Sequence, residues 1–342
     1  MTKRSPGLDL IRCLAFMFVV LFHFYLNNGY YVMPQTGALM WLTGAFRWGI
    51  VSCIGLFLML TGYLQSEKTS PRACWRGLPT VLLGYLLAAL ISIPIRHFLL
   101  GDARSMTTWS YRLVGFTGAY YGWYVEMYLG LILLCPFLNM ILRQLQTTRA
   151  LLGFTAVLLI LTALPGTLPW PLFPDYWRSF YPVTYYVLGA VVRRLQPKLR
   201  PWIGIAAAAA IALLLGTVTV LSTDGPLTEA VGWEFSELPI AMIALCLFVA
   251  LYRIQPPKAV ARVLATASGG VYGGYLLSHL LDCWCYKRFP QWWTPACYPL
   301  LFLCVTVPIW LISLLAGIGL DRLTKLLLRP LIALQRKGRT AR

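Results

Sequence analysis

Residues 8–24 read LDLIRCLAFMFVVLFHF, and the apolar run continues to residue 27. A run of about 20 apolar residues crosses the hydrocarbon core of a bilayer as one α-helix. Three ionisable side chains interrupt this run: Asp9, Arg12 and His23. Because such groups are costly within a membrane span, they mark a functional site by default. The stretch therefore predicts a membrane protein and the helix on which its function depends.

The composition of the whole chain is also that of a membrane protein. Of its 342 residues, 59% are hydrophobic and 12% are charged, whereas a soluble domain carries about 25% charged residues. No polar stretch is long enough to form a separate soluble domain. We therefore predict an all-α, polytopic integral membrane bundle that occupies residues 1–342 as a single domain and ends in a short basic tail at 329–342.

Ten apolar runs are candidates for transmembrane helices. They lie at roughly 8–27, 46–64, 78–98, 121–142, 150–165, 180–195, 202–222, 237–252, 263–284 and 298–320. The fifth and sixth runs are short and bounded by prolines such as Pro165 and Pro182. The expected architecture is a bundle of about ten transmembrane helices.

The basic residues are distributed unevenly between the loops that this topology creates. The loops on the side of the N-terminus hold 21 of the 29 Lys and Arg residues, and those on the other side hold 7. Cytoplasmic loops are enriched in Lys and Arg, so we expect an inner (plasma) membrane protein with both termini in the cytosol. Seven acids fall on the opposite side: Asp102, Asp175, Asp224, Glu229, Glu234, Glu237 and Asp282.

Some classes of partner are not expected. The net charge of +18 comes from basic residues in the short loops between apolar runs. No nucleic-acid-binding pattern accompanies this charge. No pair of cysteines or His/Cys cluster has the spacing of metal ligands. We therefore expect the lipid bilayer as a partner, and no nucleic acid, metal or bound cofactor.

Arg12 and His23 lie eleven residues apart, which places them on nearly the same side of a helix, about three turns or 16 Å apart. Asp9 can pair with Arg12 at a spacing of three residues. This arrangement suits a long anionic donor such as acyl-CoA, with Arg12 binding phosphate and His23 acting as general base toward an acceptor hydroxyl. Alternatively, Asp9 and Arg12 form an interfacial pair and His23 is a packing residue.

Other candidate residues are expected at the depth of His23. Glu126 lies near the outer end of the fourth run, and His279 lies in the outer half of the ninth, one turn beyond Tyr275. A carboxylate beside His23 would hold its tautomer, so Glu126 is a catalytic candidate. Alternatively, it pairs with a nearby arginine at the membrane surface.

Four segments carry a resemblance to a known family. LDLIRCLAFMFVVLFHF contains Arg, ten residues and then His; GLFLMLTGYL (55–64), WYVEMYLGLILLCPFLN (123–139) and YGGYLLSHLL (272–281) follow in order. Together they resemble the membrane-bound acyltransferase 3 family. Thr61 stands where that family typically has Ser, and Ser278 occupies the usual place of a His that falls one residue later here, at His279.

The resemblance implies a bundle of about ten helices that takes an acyl group, often acetyl, from cytosolic acyl-CoA. The acceptor would be a hydroxyl of an envelope glycan or lipid-linked sugar. Arg12 and His23 correspond to the essential pair of that family. Tyr63, Trp123, Tyr275 and His279 are expected to contact substrate.

Several alternatives remain at the level of sequence. Thr61, Gly62 and Tyr63 suit helix packing as well as a substrate site. The aromatic residues near the outer face suit either sugar stacking or an interfacial belt: Tyr120, Tyr121, Trp123, Trp292 and Trp293. A transporter without acyl transfer is the alternative function, although the chain shows no internal repeat that would favour one. A structural scaffold for a polysaccharide synthase is a third possibility.

Overall fold

The fold is described from a computed structural model, which describes residues 4–168, 170, 172–223, 225, 227, 234–288 and 298–340. All regular elements within these residues are helical, as the apolar runs predict. In a bilayer a helix satisfies its own backbone hydrogen bonds, which is why long apolar runs adopt this structure. Trp292 and Trp293 lie outside the described residues.

Thirteen α-helices occur in the described part of the chain. They are α1 Pro6–Asn27, α2 Gly37–Val51, α3 Cys53–Gln65, α4 Pro71–Trp75, α5 Leu78–Pro94, α6 Met106–Val114, α7 Trp123–Gln144, α8 Thr148–Thr162, α9 Tyr181–Leu195, α10 Pro201–Ser222, α11 Leu238–Leu251, α12 Lys258–Arg288 and α13 Tyr298–Thr340. A single π-helical turn, Ile95–Leu99, extends α5.

A helix coincides with each of the ten predicted runs, but the helices differ in length and hydropathy. Six stretches are long and apolar enough to cross a membrane: Pro6–Asn27, Gly37–Gln65, Pro71–Leu99, Trp123–Gln144, Pro201–Ser222 and Phe302–Pro330. α8 and α11 are shorter apolar helices. Whether the remaining helices also cross the membrane is not tested, so the total of about ten spans stays a prediction. The second run was predicted to begin at about residue 46, but the helix there begins at Gly37, nine residues earlier.

α1 lies at the centre of the bundle. It packs against α2, α3, α11, α12 and α13. Its apolar side chains Ile11, Phe16, Val20 and Phe24 are fully buried. The ionisable groups of α1 are therefore surrounded largely by protein rather than by lipid, which is the arrangement that their desolvation cost favours.

α3 and α9 approach each other closely through two glycines. A Cβ atom on Gly62 would lie 1.9 Å from the carbonyl oxygen of Tyr186, and one on Gly189 would lie 2.1 Å from that of Met59. Small residues allow helix backbones to come into direct contact. Gly62 is therefore a packing residue, which was one of the two interpretations of the Thr61–Tyr63 segment.

Hydrogen bonds draw several basic loops to one end of the bundle. Arg4 donates to the carbonyl of Ala265, joining the N-terminus to the start of α12. The last turn of α9 reaches the loop after α3 and the last turn of α7 through Arg193, which pairs with Glu67, and Arg194, which donates to the Leu142 carbonyl. These loops belong to the set that the charge distribution predicts on one side. The side of the membrane on which they lie stays a prediction.

The close packing of α3 on α9 can be tested by substitution. Gly62→Val places side-chain atoms against the backbone of α9, and overpacking of this kind typically costs about 1–3 kcal/mol. We expect a lower midpoint of thermal unfolding in detergent, followed by tryptophan fluorescence. Gly130→Val is the matched control, because beyond the adjacent backbone of α7 no atom of the described residues lies within 4 Å of the Cβ position at Gly130. Equal midpoints for the two variants would contradict the packing role of Gly62.

Candidate active site

A cavity of about 1300 Å³ lies inside the bundle. It exceeds the range of about 300–1,000 Å³ that is usual for small-molecule sites. At one end, here called the Arg12 end, its lining includes Arg12, Thr61, Gln65 and Ser268; at the other, the Arg96 end, it includes Arg96, Asp102, Arg104, Arg112 and Lys287. His23 lines the cavity between them. One space therefore joins the two residues that the first span places on one stripe.

A buried carboxylate fixes Arg12 at its end of the cavity. Asp9 is only 3% exposed, and its Oδ1 atom lies 3.1 Å from Arg12 Nη1. Arg4 Nε lies 2.7 Å from the other carboxylate oxygen. Ser268 donates to Asp9 Oδ1 and accepts from Arg12 Nη1, at 2.7 and 2.6 Å. The predicted pairing of Asp9 with Arg12 is therefore present in the structure, and it extends to α12.

The Asp9 network leaves part of the Arg12 guanidinium available. Its side-chain contacts within the described residues are made through Nη1. The Arg12 side chain is 29% exposed and lines the cavity. A guanidinium held in place at one nitrogen can offer Nη2 and Nε to a phosphate in a fixed geometry. Arg12 is therefore an oriented cation.

His23 is held between an aromatic ring and a carboxylate. Its ring stacks on that of Tyr121, with centroids 3.9 Å apart and planes inclined by 18°. His23 Nδ1 lies 3.6 Å from Asp282 Oδ2. The Tyr121 hydroxyl donates to the same oxygen at 2.7 Å. Three residues from three segments of the chain thus form one polar cluster beside the cavity.

Two buried atoms of this cluster lack a hydrogen bond. His23 Nδ1 and Asp282 Oδ1 are both buried, and neither has a hydrogen-bond partner within the described residues. A proton on Nδ1 would lie next to the Asp282 carboxylate, whose Oδ2 atom is 3.6 Å from Nδ1. A carboxylate next to Nδ1 favours this tautomer, which leaves Nε2 free to accept a proton. The cluster is therefore suited to hold His23 as a general base.

The carboxylate next to His23 differs from the expected one. Glu126 is exposed on α7 and is not part of the cavity lining, whereas its neighbour Val125 is buried and does line it. One residue turns a helix by about 100°, so a prediction of depth alone did not determine the side on which Glu126 lies. Asp282, assigned from the sequence to the outer-loop acids, lies inside α12 and is 2% exposed.

Besides Arg12, two of the four other predicted substrate contacts line the cavity. Trp123 and Tyr275 do so, and the Tyr275 hydroxyl donates to the carbonyl of Tyr121 at 2.8 Å. Tyr63 is absent from the lining; its hydroxyl accepts from Gln196 at 3.2 Å. His279 is fully buried behind the cluster, with its ring centroid 5.6 Å from that of Tyr121 and Nδ1 near the Leu276 carbonyl. The structure thus separates Tyr63 and His279 from the cavity surface.

Tyr121 and Asp282 were not identified as site residues from the sequence. Asp282 follows His279 by three residues, which is a position on the same face of a helix. That spacing was a usable signal, but Asp282 falls near the end of the ninth predicted run and was grouped with the acids on the outer side. Tyr121 precedes α7 and was considered only within a group of aromatic residues that suit either sugar stacking or an interfacial belt.

Among known protein families, the model described as an acyltransferase domain, that of the acyltransferase 3 family, matches residues 5–315 of the chain. No curated protein and no solved structure matches the chain. The matched range contains all four residues of the site, Arg12, His23, Tyr121 and Asp282. The cavity and the family match therefore concern the same part of the chain.

The Asp9 network makes a prediction about stability. Asp9→Asn removes the charge that Arg4 and Arg12 share, and a hydrogen bond to a charged group contributes about 1.5–3 kcal/mol. We expect a lower thermal midpoint for this variant. Asp321→Asn is the control, because Asp321 pairs with the exposed Lys325, and surface ion pairs contribute about 0–1 kcal/mol. An Asp9→Asn variant as stable as the control would show that this network does not stabilise the fold.

Proposed function

The chain belongs to the acyltransferase 3 family, and from this membership we propose the reaction that its cavity performs. The protein transfers an acyl group, acetyl in the first instance, from cytosolic acyl-CoA to a hydroxyl of an envelope saccharide or lipid-linked sugar. The observation that carries the proposal is the cavity itself. It joins the oriented guanidinium of Arg12 to an imidazole that is backed by a carboxylate.

The donor enters from the Arg12 end. The predicted cytosolic loops gather at this end, and cytosol is where acyl-CoA occurs. Its phosphates bind near Arg12, where guanidinium nitrogens suit phosphate oxygens. The pantetheine arm then runs along α1 for the distance of about 16 Å that separates Arg12 from His23. This places the thioester beside the imidazole.

His23 performs the proton transfer. Its Nε2 takes the proton of the acceptor hydroxyl as the oxygen attacks the thioester carbonyl carbon. The tetrahedral intermediate collapses with cleavage of the carbon–sulfur bond. The departing thiolate receives the proton from His23, so the products are the acyl ester and free CoA. Proton transfer by a positioned side chain accelerates such a step about 10²–10⁴-fold.

Asp282 and Tyr121 act through His23. The carboxylate faces Nδ1 and stabilises the imidazolium that forms when Nε2 is protonated. The Tyr121 hydroxyl holds the carboxylate by a hydrogen bond at 2.7 Å, and its ring holds the imidazole by stacking. Both residues are therefore positioning residues in the proposed reaction.

Transport of a solute without chemistry is the alternative function, because a cavity lined from both ends of the bundle also suits a solute path. The two functions differ in what happens to CoA. Acyl transfer releases one CoA thiol for each ester formed, whereas transport leaves acyl-CoA intact. Thiol release that depends on acceptor therefore distinguishes them.

The first test compares His23→Ala with Glu126→Gln. Purified protein in nanodiscs is incubated with radiolabelled acetyl-CoA and extracted envelope glycans, and label in the glycan is counted. We expect His23→Ala to lower transfer at least about 100-fold, since it removes the base. Glu126→Gln should transfer like wild type, because Glu126 is exposed outside the cavity. Full activity of His23→Ala would refute the mechanism.

A second test addresses Asp282. Asp282→Asn keeps the size of the side chain but removes the charge that stabilises protonated His23, so we expect kcat to fall about 100-fold or more. The KM for acetyl-CoA should stay within about twofold of wild type, since Asp282 lies away from Arg12. Tyr121→Phe keeps the stacked ring and should lose less activity. A rise in KM with unchanged kcat would contradict the positioning role of Asp282.

A further inference from the structure

The Arg96 end of the cavity carries more positive charge than the surrounding acids balance. Four cations line it: Arg96, Arg104, Arg112 and Lys287. Asp102 is the single carboxylate within ion-pair distance of them in the described residues, at 2.5 Å from Arg96 and 2.7 Å from Arg104. Among the described residues, one carboxylate thus pairs with two guanidinium groups, and the four cations exceed it by three charges.

Arg96 and Asp102 have a structural task at this end. Arg96 is buried, and its Nη1 donates to the carbonyl of Gly118 while its Nη2 pairs with Asp102. These contacts join the end of α5 to the segment that precedes α7. Arg96 and Asp102 are therefore engaged in holding the fold together, and the ligand-binding surface is left to the other cations of the cluster.

Arg112 and Lys287 are the cations without an acidic partner in the described residues. Arg112 lies over the ring of Trp109, 5.8 Å from its centroid. Lys287 donates to the carbonyl of Leu100 at 3.0 Å, which holds the ammonium group without neutralising it. Both side chains belong to the cavity lining.

The cations of this cluster repel one another. The pKa of Arg112 lies below its usual value because of partial burial and because of the nearby charges of Arg104 and Arg96. The pKa of Asp102 lies below its usual value although burial acts to raise it, because its pairs with Arg96 and Arg104 favour the charged form. Asp102 offsets only part of the repulsion between these cations, so an anion bound next to them would reduce the remainder.

Two exposed aromatic rings line the same cavity, and one of them lies beside Arg96. Tyr120 and Trp123 line the cavity and are 58% and 38% exposed. The guanidinium of Arg96 lies 5.5 Å from the centre of the Tyr120 ring, so the aromatic and basic surfaces are continuous. Flat aromatic faces suit the apolar faces of sugar rings, and cations suit phosphate or carboxylate groups.

We propose that the Arg96 end binds an acidic saccharide, a sugar that bears a phosphate or carboxylate group, and that Arg112 and Lys287 contact this group. The inference rests on the proposed function, in which this end of the cavity admits the acceptor, and it adds the chemical class of that acceptor. Tyr120 and Trp123 contact the sugar ring. Neutral sugars of the same shape bind more weakly, because they leave the cluster uncompensated.

A binding experiment tests this proposal on the full chain in nanodiscs of zwitterionic lipid. The probes are glucose 6-phosphate, methyl glucuronide and the neutral methyl glucoside, and affinities are measured by ligand-observed NMR. The test variant, here called the rim variant, is Arg112→Gln/Lys287→Gln. The matched control is Lys258→Gln/Arg262→Gln, which removes two exposed cations that are not part of the cavity lining. Unchanged elution and thermal midpoint establish that both variants are folded.

We expect wild type and the control variant to bind the two charged probes about tenfold more tightly than the neutral one at about 10 mM salt, where screening is weak. The preference should shrink towards unity at about 1 M salt. The rim variant should lose most of it. Equal affinity of wild type for charged and neutral probes, or a preference that survives in the rim variant, overturns the proposal.

Anionic phospholipid is another source of the same negative charge, and a second arm distinguishes it. Nanodiscs that contain anionic lipid, without any sugar, are compared with zwitterionic ones by thermal midpoint. If anionic lipid raises the midpoint of wild type but not of the rim variant, and charged probes show no preference in zwitterionic nanodiscs, the cluster binds lipid headgroups and the saccharide assignment fails. A charge preference without any anionic lipid supports the saccharide.

The binding readout is independent of acyl transfer. Suppose that wild type prefers charged probes, the rim variant does not, and the protein releases no CoA. This result would retain the acidic ligand and refute the proposed reaction. Acyl transfer to extracted glycan by a protein without any charge preference would retain the reaction and refute the acidic acceptor. The two failures are therefore distinguishable.

Discussion

The cost of placing charge in a membrane determines how this molecule is built. The hydrocarbon layer offers no water to an ionised side chain, so such a group needs an internal partner or a polar cavity. α1 carries Asp9, Arg12 and His23 along a helix of 22 residues, and the bundle provides both solutions. Asp9 and Arg12 pair with each other and with groups outside the helix, and His23 lies beside the cavity. The central position of α1 follows from this requirement, since a helix at the edge would expose these groups to lipid.

Much of this arrangement was predictable from sequence because it depends on local properties. The apolar runs predicted where helices lie, and the spacing of Arg12 and His23 predicted their common stripe from the period of the helix. The pairing of Asp9 with Arg12 followed from a separation of three residues. Each of these features involves residues on one helix, so the geometry of that helix was sufficient.

The remainder of the site depends on contacts between distant segments, which one sequence does not specify. Asp282 is 259 residues from His23 in the chain, and only the packing of α12 on α1 brings them together. The place of Glu126 on α7 followed from the sequence, but the direction of its side chain depends on how α7 is rotated in the bundle. Tyr63 shows a related difficulty. Its segment lies on the expected helix, yet the neighbouring Gly62 packs on α9, and Tyr63 meets Gln196 instead of the cavity.

The position of His23 along α1 is asymmetric, and this asymmetry bears on the proposed reaction. His23 lies about 16 Å from Arg12 but only four residues, or about 6 Å, from the end of α1 at Asn27. A long donor that binds at the Arg12 end thus reaches most of the way across the bundle, whereas an acceptor from the other end needs to enter only a short distance. In the proposed reaction the thioester would therefore cross the hydrocarbon layer inside the protein, and the polar saccharide would not. The desolvation that opposes movement of the sugar would be avoided, because the acyl group alone would pass from one side to the other.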